Sequence, residues 1–102
     1  MKFPDKLNGS GSGTAVAVKC LQSLTKLGFG KILKTGIIEF YFPTGSSEDF
    51  RNQLIIEEIL RLTNVKKKQI ELITGKNDKL IVTINGFDPE ELNKILAQAS
   101  IS

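Results

Sequence analysis

Two apolar stripes at helical spacing, with a pair of apolar strands between them, constrain the fold of this chain more than any other feature. Within residues 50–62 and again within 92–99, apolar residues recur three or four positions apart. Between these stripes, residues 70–74 and 79–84 have strand composition and flank a four-residue turn of hairpin type. This order predicts two amphipathic helices that pack on a common side of paired strands.

Local signals mark the ends of both predicted helices. Ser46 or Ser47 is placed to cap the first helix, and Asn64 follows its last turn as a residue that tolerates the left-handed conformation. The second helix has Asp88 as N-cap and Pro89 at its first position. The residues expected to be buried are Phe50, Leu54, Ile55, Ile59 and Leu62 in the first helix, and Leu92, Ile95, Leu96 and Ala99 in the second.

Residues 14–27 fit two interpretations. Residues 15–18 alternate as a strand would, whereas a longer set of residues recurs at helical steps. Gly28 stands where a left-handed residue commonly ends a helix. The helix is therefore favoured, and its expected apolar face consists of Ala17, Cys20, Leu21, Leu24 and Leu27.

The middle of the chain predicts further strands. Residues 37–42 are β-branched and aromatic, and Pro43 closes the strand because proline offers no N–H to a neighbour. Residues 31–33 are a candidate for a short additional strand. The predicted order is helix, one or two strands, helix, strand, strand, helix. It implies a two-layer α+β sandwich with a three- or four-stranded sheet and helices on one face.

Composition and length predict one folded domain. The chain has 102 residues, of which residues 14–102 are expected to form the domain and residues 1–13, rich in Gly and Ser, a flexible arm that is either native or an artificial linker. No apolar run approaches the roughly 20 residues that span a bilayer, and the N-terminus lacks the apolar stretch of a signal peptide. With a single cysteine and no such segments, we expect a reducing, cytoplasmic location.

The side chains that usually carry catalysis are scarce. The chain has no histidine, which removes the commonest general base and metal ligand at neutral pH. Its one cysteine, Cys20, lies on the apolar face of the predicted helix and is expected to be a buried structural thiol. The glutamates fall mainly on solvent-facing helix positions or at a cap. We therefore predict no catalytic residues, no metal site and no cofactor, and a non-enzymatic role.

Lysine clusters support one hypothesis of function. The chain carries a net charge of +3, and two groups of its lysines lie before the first strand of the predicted hairpin and on either side of the hairpin turn. Only two arginines and no tryptophan are present, so the groups best suited to bidentate phosphate contacts and base stacking are scarce. The hypothesis is a weak, sequence-indifferent nucleic-acid binder that uses Lys66, Lys67, Lys68, Lys76 and Lys79.

The loops support a second hypothesis, which we favour. A protein partner would contact the loops at residues 28–36 and 43–47, and the chain would be a small binding or interaction module. The residues placed to take part are Phe29, Lys31, Lys34 and Asn52.

Residues 36–97 also carry a series of short motifs in a recognisable order. Asn52 lies near the start of the first helix, residues 63–65 (Thr-Asn-Val) end it, residues 70–75 read Ile-Glu-Leu-Ile-Thr-Gly, and Asp78 and Lys79 open the next strand. In these features the chain resembles the YggU-like family of small uncharacterised proteins. The resemblance implies the strand, helix, strand, strand, helix order, and it implies no reaction because the family has no settled biochemical role.

The chain departs from the YggU-like pattern in three regions, one of which is the hairpin turn, where Lys76 and Asn77 stand in place of the Ser-Arg that the family often carries. The family's loop before the first helix usually reads Pro-Pro-Val-Asp-Gly-Lys-Ala-Asn, and only Asn52 of that stretch is matched. The family also begins with strands, whereas residues 14–27 favour a helix here. Any activity carried by those regions of the family is therefore in doubt for this chain.

Overall fold

The structure, a computed structural model, describes residues 13–75 and 78–99. The elements in chain order are β1 (Gly13–Ser23), β2 (Gly28–Ile32), β3 (Ile38–Pro43), α1 (Glu48–Thr63), β4 (Ile70–Thr74), β5 (Lys79–Asn85) and α2 (Pro89–Ala99). A short 3-10 turn at Lys67–Gln69 leads into β4. The predicted arm at residues 1–13 lies outside the described residues, apart from Gly13, which begins β1.

The strands form one mixed sheet in the order β2-β3-β1-β5-β4, so the sheet has five strands rather than the three or four predicted. The central strand β1 runs parallel to β3 and antiparallel to β5. The two outer pairs, β2 with β3 and β4 with β5, are antiparallel. Val18 in the middle of β1 is opposite Ile38 on one side and Leu80 on the other.

The predicted helix at residues 14–27 is wrong, because residues 13–23 form strand β1. Val18 and Cys20 alternate along this strand and are buried in the core. Leu24 and Leu27, which completed the expected helical stripe, lie in the following loop and are exposed. A segment paired on both edges gains hydrogen bonds from two neighbours at once, and this tertiary pairing overrides the local helical spacing.

Both helices cover the same face of the sheet, as predicted. α1 contacts β2, β3 and α2, and α2 contacts β1 and β2. The strands alternate between buried and exposed residues, so only one side of the sheet faces the helices. The buried core comprises Val18, Cys20, Phe29, Ile38, Phe40, Phe42, Ile55, Ile59, Leu80, Val82, Ile84, Leu92 and Leu96.

The helix ends follow the predicted chemistry. Of the two candidate caps, Ser47 caps α1, since its Oγ accepts a hydrogen bond from the Phe50 N–H at 3.1 Å. Asn64 ends α1 in the left-handed conformation with φ 64°. Asp88 precedes α2, and its Oδ2 accepts from the Glu91 N–H at 3.0 Å. The predicted burial of Phe50 is wrong, because 47% of this residue is exposed at the start of α1.

The opposite side of the sheet faces away from both helices, and we call it the open face. The alternation of the strands assigns to it the side chains that do not enter the core. They are Ala15, Ala17, Lys19 and Leu21 of β1, Glu39 and Tyr41 of β3, Glu71 and Ile73 of β4, and Lys79, Ile81 and Thr83 of β5.

Candidate interaction surfaces

The register places three connections at one end of the sheet, which we call the loop end. They are the β1–β2 loop, the β3–α1 loop and the β4–β5 turn. Ser23 is opposite Pro43, and the Thr44 N–H donates to the Ser23 carbonyl at 3.3 Å. The Cys20 N–H donates to the Asp78 carbonyl at 2.8 Å, which ties the β4–β5 turn to β1. The β2–β3 turn and the segment between α1 and β4 lie at the other end of the sheet, the far end.

The loop end carries three exposed apolar side chains, which we call the loop-end patch. Leu24 is 90% exposed and Leu27 is 63% exposed, both in the β1–β2 loop, and Phe50 lies in the first turn of α1. The loop is held by Ser23, whose Oγ accepts from the Thr25 N–H at 3.2 Å and from the Lys26 N–H at 2.9 Å. These hydrogen bonds order the loop backbone while its leucines face solvent.

Sequence reasoning missed the loop-end patch because it assigned all three residues to buried helical stripes. The strand alternation of residues 15–18 was the signal that could have found it. Once that alternation is extended through Cys20 to Ser23, Leu24 and Leu27 fall beyond the strand, next to Gly28.

The residues predicted for the interaction loop are not brought together. Phe29 is a core residue of β2, 3% exposed, with its ring edge-on to Phe40 at 5.1 Å between centroids. Lys31 and Lys34 are exposed toward the far end, whereas Asn52 belongs to α1 near the loop end. Residues 28–32 of the first predicted loop form strand β2, which leads away from the end of the sheet where residues 43–47 follow β3, so the two predicted loops do not form one surface.

Asn52 helps to fix the start of α1. Its Oδ1 accepts hydrogen bonds from Arg51 Nε at 3.1 Å and Nη2 at 2.9 Å. Arg51 is 8% exposed, its guanidinium lies 6.0 Å from the centroid of the Phe42 ring, and Nη2 is 3.6 Å from Glu48 Oε2. This set of contacts anchors the first turns of α1 to β3 and gives Asn52 a structural role.

The thiol of Cys20 is not poised for nucleophilic chemistry. The residue is 2% exposed, and burial raises the pKa of the Cys20 thiol, with the nearby positive charge of Arg51 acting in the opposite direction and Asp78 adding to the rise. A thiol with a raised pKa stays protonated at neutral pH. Cys20 therefore acts as a small core residue, as predicted.

The predicted lysine cluster is divided between the two ends of the sheet. Lys66, Lys67 and Lys68 are exposed at the far end, where Gln69 Nε2 donates to the Asn85 carbonyl at 2.8 Å. Lys79 begins β5 at the loop end. The five residues of β4 separate the two groups by roughly 17 Å. Lys76 lies outside the described residues.

A shallow groove follows the solvent side of α1. Its volume is ≈ 410 Å³. The residues that line it include Asp49, Asn52, Gln53, Ile56, Glu57, Leu60 and Lys67. A cavity of ≈ 10 Å³ between the sheet and the helices is barely large enough for one water molecule and admits no larger ligand.

Residues 13–75 and 78–99 contain no group of three His, Cys, Asp or Glu side chains that could hold a metal ion. Within the described part of the chain, no helix is long and apolar enough to cross a membrane. Comparisons of the chain with protein-family models, with curated proteins and with solved structures found no match.

Proposed function

We propose that this protein is a small non-enzymatic binding module that engages a protein partner through the loop-end patch. The observation that carries the proposal is the exposure of Leu24 and Leu27, 90% and 63%, in a loop whose backbone is held by Ser23. Two exposed leucines in one ordered loop, with the exposed Phe50 at the same end of the sheet, are apolar surface of the kind that marks interaction sites.

The free energy gained by burying the side chains of the loop-end patch is large enough for a specific contact with a partner. Burying one leucine or phenylalanine side chain completely stabilises a complex by about 1.5–3 kcal/mol before the cost of association. An ordered loop loses little further entropy when a partner binds, so more of that gain appears as affinity. Neither Leu24 nor Leu27 belongs to the buried core or packs against it, so we expect changes at these positions to leave the fold intact.

The test is capture of partners from the native cell with the wild-type chain and with a Leu24→Ser/Leu27→Ser variant. We expect a protein recovered with the wild type to be depleted at least tenfold with the double variant, while the Tm of both chains is the same. Ile32→Ser is the matched control, since Ile32 is 41% exposed but ends β2 toward the far end. Equal recovery by the double variant and the wild type, or no specific protein with either, would contradict the proposal.

A weak nucleic-acid binder is the second candidate. The observation in its favour is the exposure of three consecutive lysines, Lys66, Lys67 and Lys68. The separation of Lys79 from them reduces the positive charge that one stretch of phosphates can meet. The candidate therefore ranks below a protein partner.

We also propose that the chain is related to the YggU-like family. Strand β1 supports this relationship, because the family begins with strands. The helix predicted for residues 14–27 would have been a departure from the family's pattern. Asn52, Asp78 and Lys79, which match the family's motifs, all lie toward the loop end. A structure of a family member with a strand order other than β2-β3-β1-β5-β4 would argue against the relationship. The single cysteine, reduced and buried, is compatible with a cytoplasmic location.

A further inference from the structure

The open face carries an apolar row across three neighbouring strands. Ala17 of β1 is opposite Ile81 of β5, and Ile81 is opposite Ile73 of β4. Ile81 is 39% exposed and Ile73 is 51% exposed. No helix among the described residues packs on this side of the sheet. Two β-branched side chains beside a small alanine give a flat apolar strip of the kind that packs well against another sheet.

Charges of both signs flank this apolar row. Toward the loop end, Lys19 is opposite Lys79, and Lys19 is also beside Glu39. Toward the far end, Glu71 is opposite Thr83. Like charges directly opposite each other destabilise an antiparallel pair, so Lys19 and Lys79 are not explained by the stability of the isolated sheet. The two lysines and two glutamates that flank the row have a net charge of zero, although the whole chain carries a net charge of +3.

The aromatic residue of the open face is not arranged to stack nucleobases. The Tyr41 ring lies so close to Gly30 that a Cβ there would overlap it. The Lys26 ammonium lies 5.2 Å from the ring centroid, and the Tyr41 hydroxyl donates to Glu39 Oε1 at 2.9 Å. A ring enclosed in this way offers no platform for a base. Together with the balanced charges, this favours a protein surface over a polyanion.

We propose that the open face binds the open face of a second copy of this chain, with the two-fold axis along the apolar row. The axis runs across the strands, so the second copy's strands run in the reverse direction. Ile81 then packs on Ile81 of the second copy, and Ile73 on its own counterpart. The same reversal brings Lys79 of each copy beside Glu71 of the other, which gives two identical ion pairs.

The size of the open face sets the expected affinity. Five strands about 4.8 Å apart and about five residues long give a footprint of roughly 24 Å by 17 Å on each copy. That is about 410 Å² on each copy, roughly half of the area that a standard specific interface buries on each partner, so this interface belongs with weak, transient contacts. We therefore expect a reversible dimer in the micromolar range, which dissociates further at high salt because its ion pairs are screened.

Sedimentation of the full chain tests the proposal, at concentrations from about 5 µM to about 500 µM that bracket the expected affinity. We expect the mass to rise from one chain toward two over this range. Ile81→Glu should keep the chain monomeric throughout. Ile32→Glu is the matched control at another exposed isoleucine and should dimerise as the wild type does. Circular dichroism and the Tm serve to check that each variant is folded.

A charge exchange distinguishes the proposed arrangement from any other dimer. We expect Lys79→Glu to weaken dimerisation about fivefold, and the double variant Lys79→Glu/Glu71→Lys to restore it at least in part. The Leu24→Ser/Leu27→Ser variant should dimerise normally, so failure of this proposal is separate from failure of the proposed function. A wild type that stays monomeric, an Ile81→Glu variant that still dimerises, or a charge exchange without restoration would each overturn it.

Discussion

Gly30 of β2 leaves space for the Tyr41 ring of the neighbouring strand. A Cβ at position 30 would overlap the ring, which the Glu39 hydrogen bond and Lys26 hold in place. We expect Gly30→Ala to lower the free energy of unfolding by about 1 kcal/mol, measured by urea denaturation. In a Tyr41→Ala background the same change should be neutral or stabilising, because the overlap is gone and the unfolded chain is restricted. An equal loss in both backgrounds would contradict this account.

The burial of Cys20 predicts how stability depends on alkaline pH. Its pKa is raised in the folded chain, mainly by burial, whereas a cysteine in an unfolded chain has a pKa of about 8.5. Above that pH the unfolded chain loses the proton and the folded chain keeps it, so the free energy of unfolding falls as pH rises. We expect a shallower fall between about pH 8 and about pH 10 in Cys20→Ala than in the wild type. Parallel curves of unfolding free energy against pH for the two chains would show that Cys20 does not contribute to the pH dependence.

At the scale of single elements, the cap of α1 can be tested by itself. Ser47→Ala removes the hydrogen bond to the Phe50 N–H and should lower the free energy of unfolding by about 1 kcal/mol. Ser46→Ala is the matched control. Its Oγ donates to the Pro43 carbonyl at 2.7 Å, but the Ser46 N–H also donates to that carbonyl at 3.2 Å. A larger loss for Ser46→Ala than for Ser47→Ala would contradict the assignment of the cap.

The elements predicted correctly are those in which local chemistry and packing agree. Asp88 and Pro89 start α2 as their residue types require, and Asn64 ends α1 in the conformation that it tolerates. Strands β4 and β5 alternate around a turn, and their pairing is a local event between adjacent segments. For these parts of the chain, sequence was a sufficient guide.

The prediction for the segment that forms strand β1 was wrong because the partners of this strand are distant in sequence. Its pairing with β5 joins residues more than 50 positions apart, such as Val18 and Leu80. Local spacing contains no information on such a partner, and here Leu24 and Leu27 completed a helical pattern by chance. The loop-end patch was missed for the same reason, since its leucines were counted as core.

At the scale of the whole molecule, the loop-end patch and the open face are separate surfaces of one sheet. Leu24 and Leu27 extend beyond the end of β1, whereas Ala17 and Ile81 lie within the strands. A dimer through the open face would therefore present two copies of the loop-end patch. Two linked sites increase avidity for a partner that can reach both, without any additional contact within each site.

The position of the lysines predicts how the protein responds to nucleic acid. Because the strand length separates Lys79 from Lys66, Lys67 and Lys68, we expect the two groups to act independently on single-stranded RNA. Changing the three consecutive lysines to glutamine should reduce the slope of log affinity against log salt by about 2, since each neutralised phosphate contributes roughly 0.7. Lys79→Gln should add its own smaller loss, measured by fluorescence anisotropy at several salt concentrations. If changing all four lysines together reduced the affinity well beyond the sum of the two separate losses, the four lysines would share one binding surface, contrary to the structure.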